Sequence, residues 1–135
     1  ELVLFVESSE RAIAALRRNA AALGVDARCR ILRLRLPVGL GRLAPEWSGR
    51  LGLVFADPPY GFDGWERLLA AVTPLLAPDA ELAAEHSRRE SPPQRAGGLA
   101  AVDRRLYGET ALTFFRSEES GEERPEAEAG KRPGP

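Results

Sequence analysis

The hydrophobic and polar positions change period along the chain, and each change marks an element. The chain opens on an unbroken apolar run, Leu2-Val3-Leu4-Phe5-Val6. A short run without polar alternation suits a strand buried on both faces, as in parallel sheets. Glu7-Ser8-Ser9-Glu10 interrupts it, offering a serine cap and early acids for a helix N-terminus. Ala12, Ile13, Leu16, Ala20 and Leu23 then recur at helical spacing until Gly24 supplies a stop. A second strand is predicted over 29–34. Pro37, Gly39, Gly41 and Pro45 break the next stretch into turns, with one helical turn near 38–43.

Leu51-Gly52-Leu53-Val54-Phe55-Ala56 reads as a third buried strand, ending at Asp57-Pro58-Pro59-Tyr60. An amphipathic helix is predicted over 63–76, with Trp65, Leu68, Leu69, Val72 and Leu76 on one side. Residues 80–85 read as a fourth strand. Ser91-Pro92-Pro93 and Gly97-Gly98 mark a loop, and the stretches 99–106 and 110–116 alternate around Tyr107-Gly108-Glu109 as an antiparallel hairpin. From Ser117 onward Glu, Gly, Pro, Lys and Arg dominate, which predicts a disordered tail over 117–135 behind a single domain at 1–116. Strands alternating with helices imply an α/β fold, a mostly parallel sheet with an antiparallel C-terminal hairpin.

Composition narrows the class. At 135 residues with 44% hydrophobic content, the chain suits one globular domain. It contains no apolar run of the ~18 residues needed to span a membrane, so a cytoplasmic protein without membrane contact is expected. One cysteine, Cys29, excludes an internal disulfide, and with one histidine, His86, no metal site is expected. The net charge of −1 is uneven: six acids and three bases lie beyond Arg116, leaving 14 acids and 16 bases before it. An arginine-rich body of net +2 suits an anionic partner such as RNA, although base composition of the gene accounts for arginine equally well.

Asp57-Pro58-Pro59-Tyr60 carries the sharpest chemistry. It follows a buried strand, where open α/β sheets place ligands. An exocyclic base nitrogen is a poor nucleophile because its lone pair is delocalised into the ring. Two acceptors around its hydrogens, the Asp57 carboxylate and the Pro58 carbonyl, would hold it pyramidal and aim the lone pair at a methyl sulfonium. Pro58 and Pro59 fix φ and keep that carbonyl stiff, and Tyr60 offers a flat face for an extruded base. The plain alternative is an ordinary Pro-Pro turn. Glu7, just past the first strand, can accept both ribose hydroxyls of an adenosyl cofactor beside Ser8, or can simply complement the helix dipole. His86 ends the fourth strand and is a candidate substrate contact, as are Arg88 and Arg89 for phosphate; for each, a structural or solvated role is the alternative. Trp47 and Trp65 are expected to pack.

Phe5-Val6-Glu7-Ser8, Asn19, Leu23-Gly24, Asp57-Pro58-Pro59-Tyr60, Glu85-His86-Ser87 and Tyr107-Gly108-Glu109-Thr110 together resemble the RsmD-type 16S ribosomal RNA guanine-N2 methyltransferases. The resemblance covers about residues 1–116. It implies a class I methyltransferase fold, S-adenosylmethionine as cofactor, and a guanine of small-subunit rRNA, naked or in an assembling subunit, as substrate of a monomeric enzyme. Residue by residue, the resemblance carries over Glu7 to the cofactor ribose and Asp57, Pro58 and Tyr60 to the target amino group and base; the reading of the residues themselves adds Ser8 and Asp57 at the cofactor, Pro59 at the amino group, and Tyr60, His86 and Arg88 at the substrate. The family's glycine-rich loop and first strand would lie upstream of Glu1, so the chain is expected to be N-terminally truncated and, alone, inactive with weak cofactor binding. Arg35 stands where the family carries an acid for the adenine amino group. DNA adenine-N6 methylation and a non-catalytic RNA-binding domain are the rival readings.

Overall fold

The computed structural model of the protein describes residues 1–121. Strand β1 (Val3–Glu7) leads into helix α1 (Glu10–Ala22) and returns as β2 (Cys29–Arg33), parallel to β1 in the register Val3 to Cys29 through Glu7 to Arg33. Ser9 caps α1, its hydroxyl accepting from the Ala12 amide at 3.3 Å. At the other end Gly24 adopts φ +67°, and the amides of Gly24 and Val25 donate to the carbonyls of Ala21 and Ala20. This is the paired closure that a left-handed residue after a helix permits, and it satisfies carbonyls the helix leaves open.

A 3-10 segment, Val38–Leu43, and the short helix α2 (Ala44–Trp47) bury Leu40, Leu43 and Trp47, with the Arg30 and Arg50 guanidinium groups over the Trp47 ring. Strand β3 (Leu51–Ala56), helix α3 (Trp65–Val72) and strand β4 (Leu76–Ser87) form a second parallel unit. Strands β5 (Arg95–Ala96), β6 (Leu99–Tyr107) and β7 (Thr110–Ser117) complete a five-stranded sheet in the order β3-β4-β7-β6-β5.

The α/β class and the hairpin are as expected, with the balance of pairings shifted. Only β1–β2 and β3–β4 are parallel, and they belong to separate sheets, while β4–β7, β7–β6 and β6–β5 are antiparallel. The two sheets are joined by side-chain packing: Leu4, Val6, Leu32 and Leu34 press against the cluster of Trp65, Leu68, Leu69, Val72, Leu82 and Phe115.

Two element boundaries differ from expectation. The helix expected over 63–76 is α-helical only to Val72. Thr73–Leu75 tightens into a 3-10 turn around Pro74, which cannot donate to a continuing helix, and Leu76 already belongs to β4. The strand expected over 80–85 is accordingly 12 residues long, from Leu76 to Ser87, with a register shift against β3 that absorbs Ala77, Pro78 and Asp79. A bulge is where a strand tolerates proline. The short β5 lies in the expected loop and is turned back onto β6 by Gly97 and Gly98, at φ +60° and +86°. That pair of positive φ values is the signature of a type I′ hairpin turn. The first residues of the stretch predicted as a tail are ordered: Ser117 closes β7 and Glu118–Gly121 make a 3-10 turn. The rest of that prediction concerns residues 122–135, which lie outside the described residues. No described helix is long and apolar enough to cross a membrane.

Candidate active site at the end of the third strand

Val54 and Ala56 of β3 share a sheet face with Leu82 and Ala84 of β4 and with Phe115 of β7, packed beneath α3. The strand must therefore stop abruptly to bring its next residues to the surface. The Pro58-Pro59 pair stops it, because neither proline can donate to a ladder. Asp57, Pro59 and Tyr60 emerge exposed, Tyr60 by 73%, with Pro58 half-buried. The turn closes through the Phe62 amide, which donates to the Pro59 carbonyl at 3.2 Å, and Gly61 takes φ +77°.

Three contacts hold this corner to the body. The Gly61 amide donates to the Glu90 carboxylate at 2.7 Å. The Phe62 ring meets Trp65 edge-on at 5.3 Å between centroids, and Trp65 meets His86 edge-on at 6.3 Å. A chain of rings thus ties the loop to the first turn of α3 and the end of β4. Glu90 lay outside every sequence signal, since its partner is 29 residues away and joins no periodic pattern.

His86 is not offered to a ligand. It is 3% exposed and both ring nitrogens are engaged, Nδ1 with the Ser87 carbonyl and Nε2 with the Thr113 hydroxyl, each at 2.7 Å. A carbonyl only accepts, so Nδ1 carries hydrogen and, in the neutral ring, Nε2 accepts from Thr113. The substrate contact expected of His86 is therefore corrected to a bond across the β4–β7 seam. Arg88, by contrast, is exposed, with its guanidinium on the Gly108 carbonyl at 3.2 Å.

Glu7 closes β1, in the other sheet. Its Oε1 accepts from the Ser8 and Ser9 amides at 3.1 and 3.0 Å, which fixes the carboxylate at the strand end and leaves Oε2 without a protein donor among the described residues. Ser8 is exposed beside it. The described contacts do not join Glu7 to the Asp57 corner directly. A hollow of about 350 Å³ lies elsewhere, between α1 and β2, lined by Arg17, Ala20, Asp26 and Cys29. It is shallow and carries none of the chemistry, so the open corner after β3 remains the candidate site. Arg35, also exposed, offers no acceptor to an adenine amino group.

Comparison with known proteins shows the family and the fold on which this corner stands. The family described as Conserved hypothetical protein 95 matches residues 1–116. The chain is 26% identical over 118 residues to Putative rRNA methyltransferase YlbH of Bacillus subtilis (strain 168), covering 86% of this chain and 64% of that protein. It thus spans just under two thirds of that relative's length. A conserved hypothetical protein of Streptococcus pyogenes superposes with a TM-score of 0.74 at 22% identity, covering 88% of this chain and 73% of that one. SMU.776, described as a putative methyltransferase complexed with SAH, superposes with a TM-score of 0.66 at 10% identity, over 84% of this chain and 38% of that one. The strand-end corner thus stands on a Rossmann-like class I methyltransferase fold, and the chain belongs to the Conserved hypothetical protein 95, or RsmD-like, family.

Proposed function

We propose that the chain carries the base-handling part of an S-adenosylmethionine-dependent methyltransferase that modifies the exocyclic N2 of a guanine in 16S ribosomal RNA. The observation that carries this reading is the Asp57-Pro58-Pro59-Tyr60 corner, rigidly anchored yet open to solvent at the end of β3. The likeness to a protein described as an rRNA methyltransferase supports the choice of substrate class.

The Asp57 carboxylate and the Pro58 carbonyl accept the two hydrogens of the target amino group, turning its lone pair outward. Tyr60 stacks on the extruded base; such stacking contributes about 1–3 kcal/mol per base. After transfer, Asp57 is the base at the corner able to take the proton the nitrogen gives up. The cofactor, when bound, supplies an electrophilic methyl group. Glu7 fits it in part: with Oε1 held by two amides, Oε2 is left to accept from a ribose hydroxyl, and Ser8 lies alongside. Arg35 does not fit the adenine end. That single misfit favours a second reading, an RNA-binding domain without transfer activity.

One assay separates the two. The full-length protein, given radiolabelled S-adenosylmethionine and small-subunit rRNA from a strain lacking the gene, is expected to form N2-methylguanosine, identified by mass spectrometry of the nucleosides. Asp57→Ala is expected to lower the rate about 100-fold or more while leaving the circular dichroism spectrum intact, the scale of losing one preorganised polar group. RNA binding without any label transfer would establish the second reading instead.

A further inference from the structure

At one end of the five-stranded sheet, the hairpin tip carries apolar and charged groups that the core does not use. From Val102 to Glu109 every residue is exposed, including Leu106 at 52% and Tyr107 at 57%. Strand β5 pairs with β6 at Leu99 and Ala100, and the Ala101 amide donates to the Gln94 carbonyl at 2.8 Å, so beyond Ala101 β6 forms the sheet edge. Arg104 and Arg105 lie on this stretch, and Arg88 and Arg89 lie on the turn after β4 beside it. The Arg104 guanidinium donates to the Arg88 carbonyl at 2.8 Å and the Arg88 guanidinium to the Gly108 carbonyl at 3.2 Å, which binds the two segments into one surface. Each of those groups retains further N–H donors. The Arg89 side chain is 85% exposed, with Glu109 4.0 Å away, and that of Arg105 is 60% exposed, paired with Asp103. Alternation along β6 turns Arg104 to the Thr113 face and Arg105, with Tyr107, to the Leu112 face, so the four guanidinium groups stand around the sheet edge at the tip, against the two carboxylates of Asp103 and Glu109.

We propose that this surface, the β6–β7 tip with the Arg88-Arg89 turn, docks RNA. Arginines 88, 89, 104 and 105 grip phosphates, and Tyr107 stacks on an unpaired base. The inference rests on the RNA reading above and gives it a second contact region, distinct from the base-modifying corner. Registers place the two at the same end of the sheet: Ala56 lies beside Ala84, Ser87 opposite Thr110, and Thr110 opposite Tyr107. Three strand spacings of about 4.8 Å separate β3 from β6, roughly 14 Å at the level of Arg104, and Tyr107 lies three residues, roughly 10 Å, further along the strand. A strand running across these ends places one base at Asp57 and its neighbouring phosphates on the arginines. Guanidinium forks suit phosphate, and an aromatic among them suits single-stranded or loop nucleotides.

The test is the salt dependence of binding to a fluorescein-labelled rRNA stem-loop, measured on the full-length protein and on the double variant Arg89→Gln/Arg105→Gln, which removes neither backbone-bound arginine. The slope of log K against log salt is expected to become shallower by about 0.7 for each lost phosphate contact. Tyr107→Ala is expected to weaken binding about tenfold with the slope unchanged, the scale of one stacking contact. Binding with an unaltered slope in the double variant overturns the docking surface and leaves the methyltransferase reading standing. An unaltered slope accompanied by self-association of the variant assigns the arginines to protecting a sheet edge, and equally overturns it. A parent protein that binds no RNA at low salt overturns the surface and the RNA reading together.

Discussion

Glu90 gives the clearest case of chemistry at the level of a single residue. Its carboxylate accepts from the Gly61 amide, directly behind Tyr60, and so limits how far the Asp57 corner can drift from the end of β4. Displacing a positioned group by an ångström can cost about 100-fold in rate. Glu90→Ala is therefore expected to reduce kcat by between 10- and 100-fold with KM for the cofactor little changed. Glu90→Gln, which keeps the accepting oxygen, is expected to restore most of the loss. Equal losses in both variants, measured by steady-state methyl transfer, would assign Glu90 a charge role in place of a positioning one. His86 shows the opposite outcome at the same scale. A lone histidine at a strand end read as a candidate substrate contact, but two intramolecular hydrogen bonds consume both nitrogens. Sequence carries no trace of Thr113 as its partner, because the two meet only through antiparallel pairing.

Periodicity located most secondary elements, since it reports which side of a segment avoids water. The stripe Trp65, Leu68, Leu69 and Val72 is the buried face of α3, and the serine and glycine signals bound α1 as expected. Periodicity failed at the α3–β4 junction, where Leu76 continues the helical stripe but Pro74 has already ended the helix. An apolar residue satisfies either period, so the backbone donor that proline lacks decided the boundary. Gly97 offers a direct test of an element junction. A Cβ built there would lie 2.4 Å from the Ala70 Cα in α3, and its φ is +60°. Both strain and overlap oppose a side chain, each on the order of 1–3 kcal/mol. Gly97→Ala is expected to destabilise by about 2–4 kcal/mol in urea unfolding, moving the hairpin off α3. A midpoint within error of the parent would show that the turn is free to move away.

Over the whole molecule, the division into two sheets has a consequence for solution behaviour. Among the described residues neither β1 nor β3 has a second strand partner, and Leu53 and Phe55 on β3 are 72% and 60% exposed. Open edges with apolar side chains are templates for pairing with other chains. The 135-residue chain on its own is expected to self-associate as its concentration rises, and Leu53→Lys with Phe55→Lys to suppress this. Sedimentation velocity over a concentration series decides the matter, and a single monomer species throughout for the parent would count against it.

The α/β class, most of the elements and the Asp57-Pro58-Pro59-Tyr60 motif after a strand were readable along the chain. Each depends on neighbours within a few residues: spacing of apolar side chains, proline stiffness, a glycine after a helix. The anchoring of that corner by Glu90, the sequestration of His86 and the gathering of four arginines at one tip were not readable. These join residues tens of positions apart, and strand register, which sets them, depends on how whole elements pack.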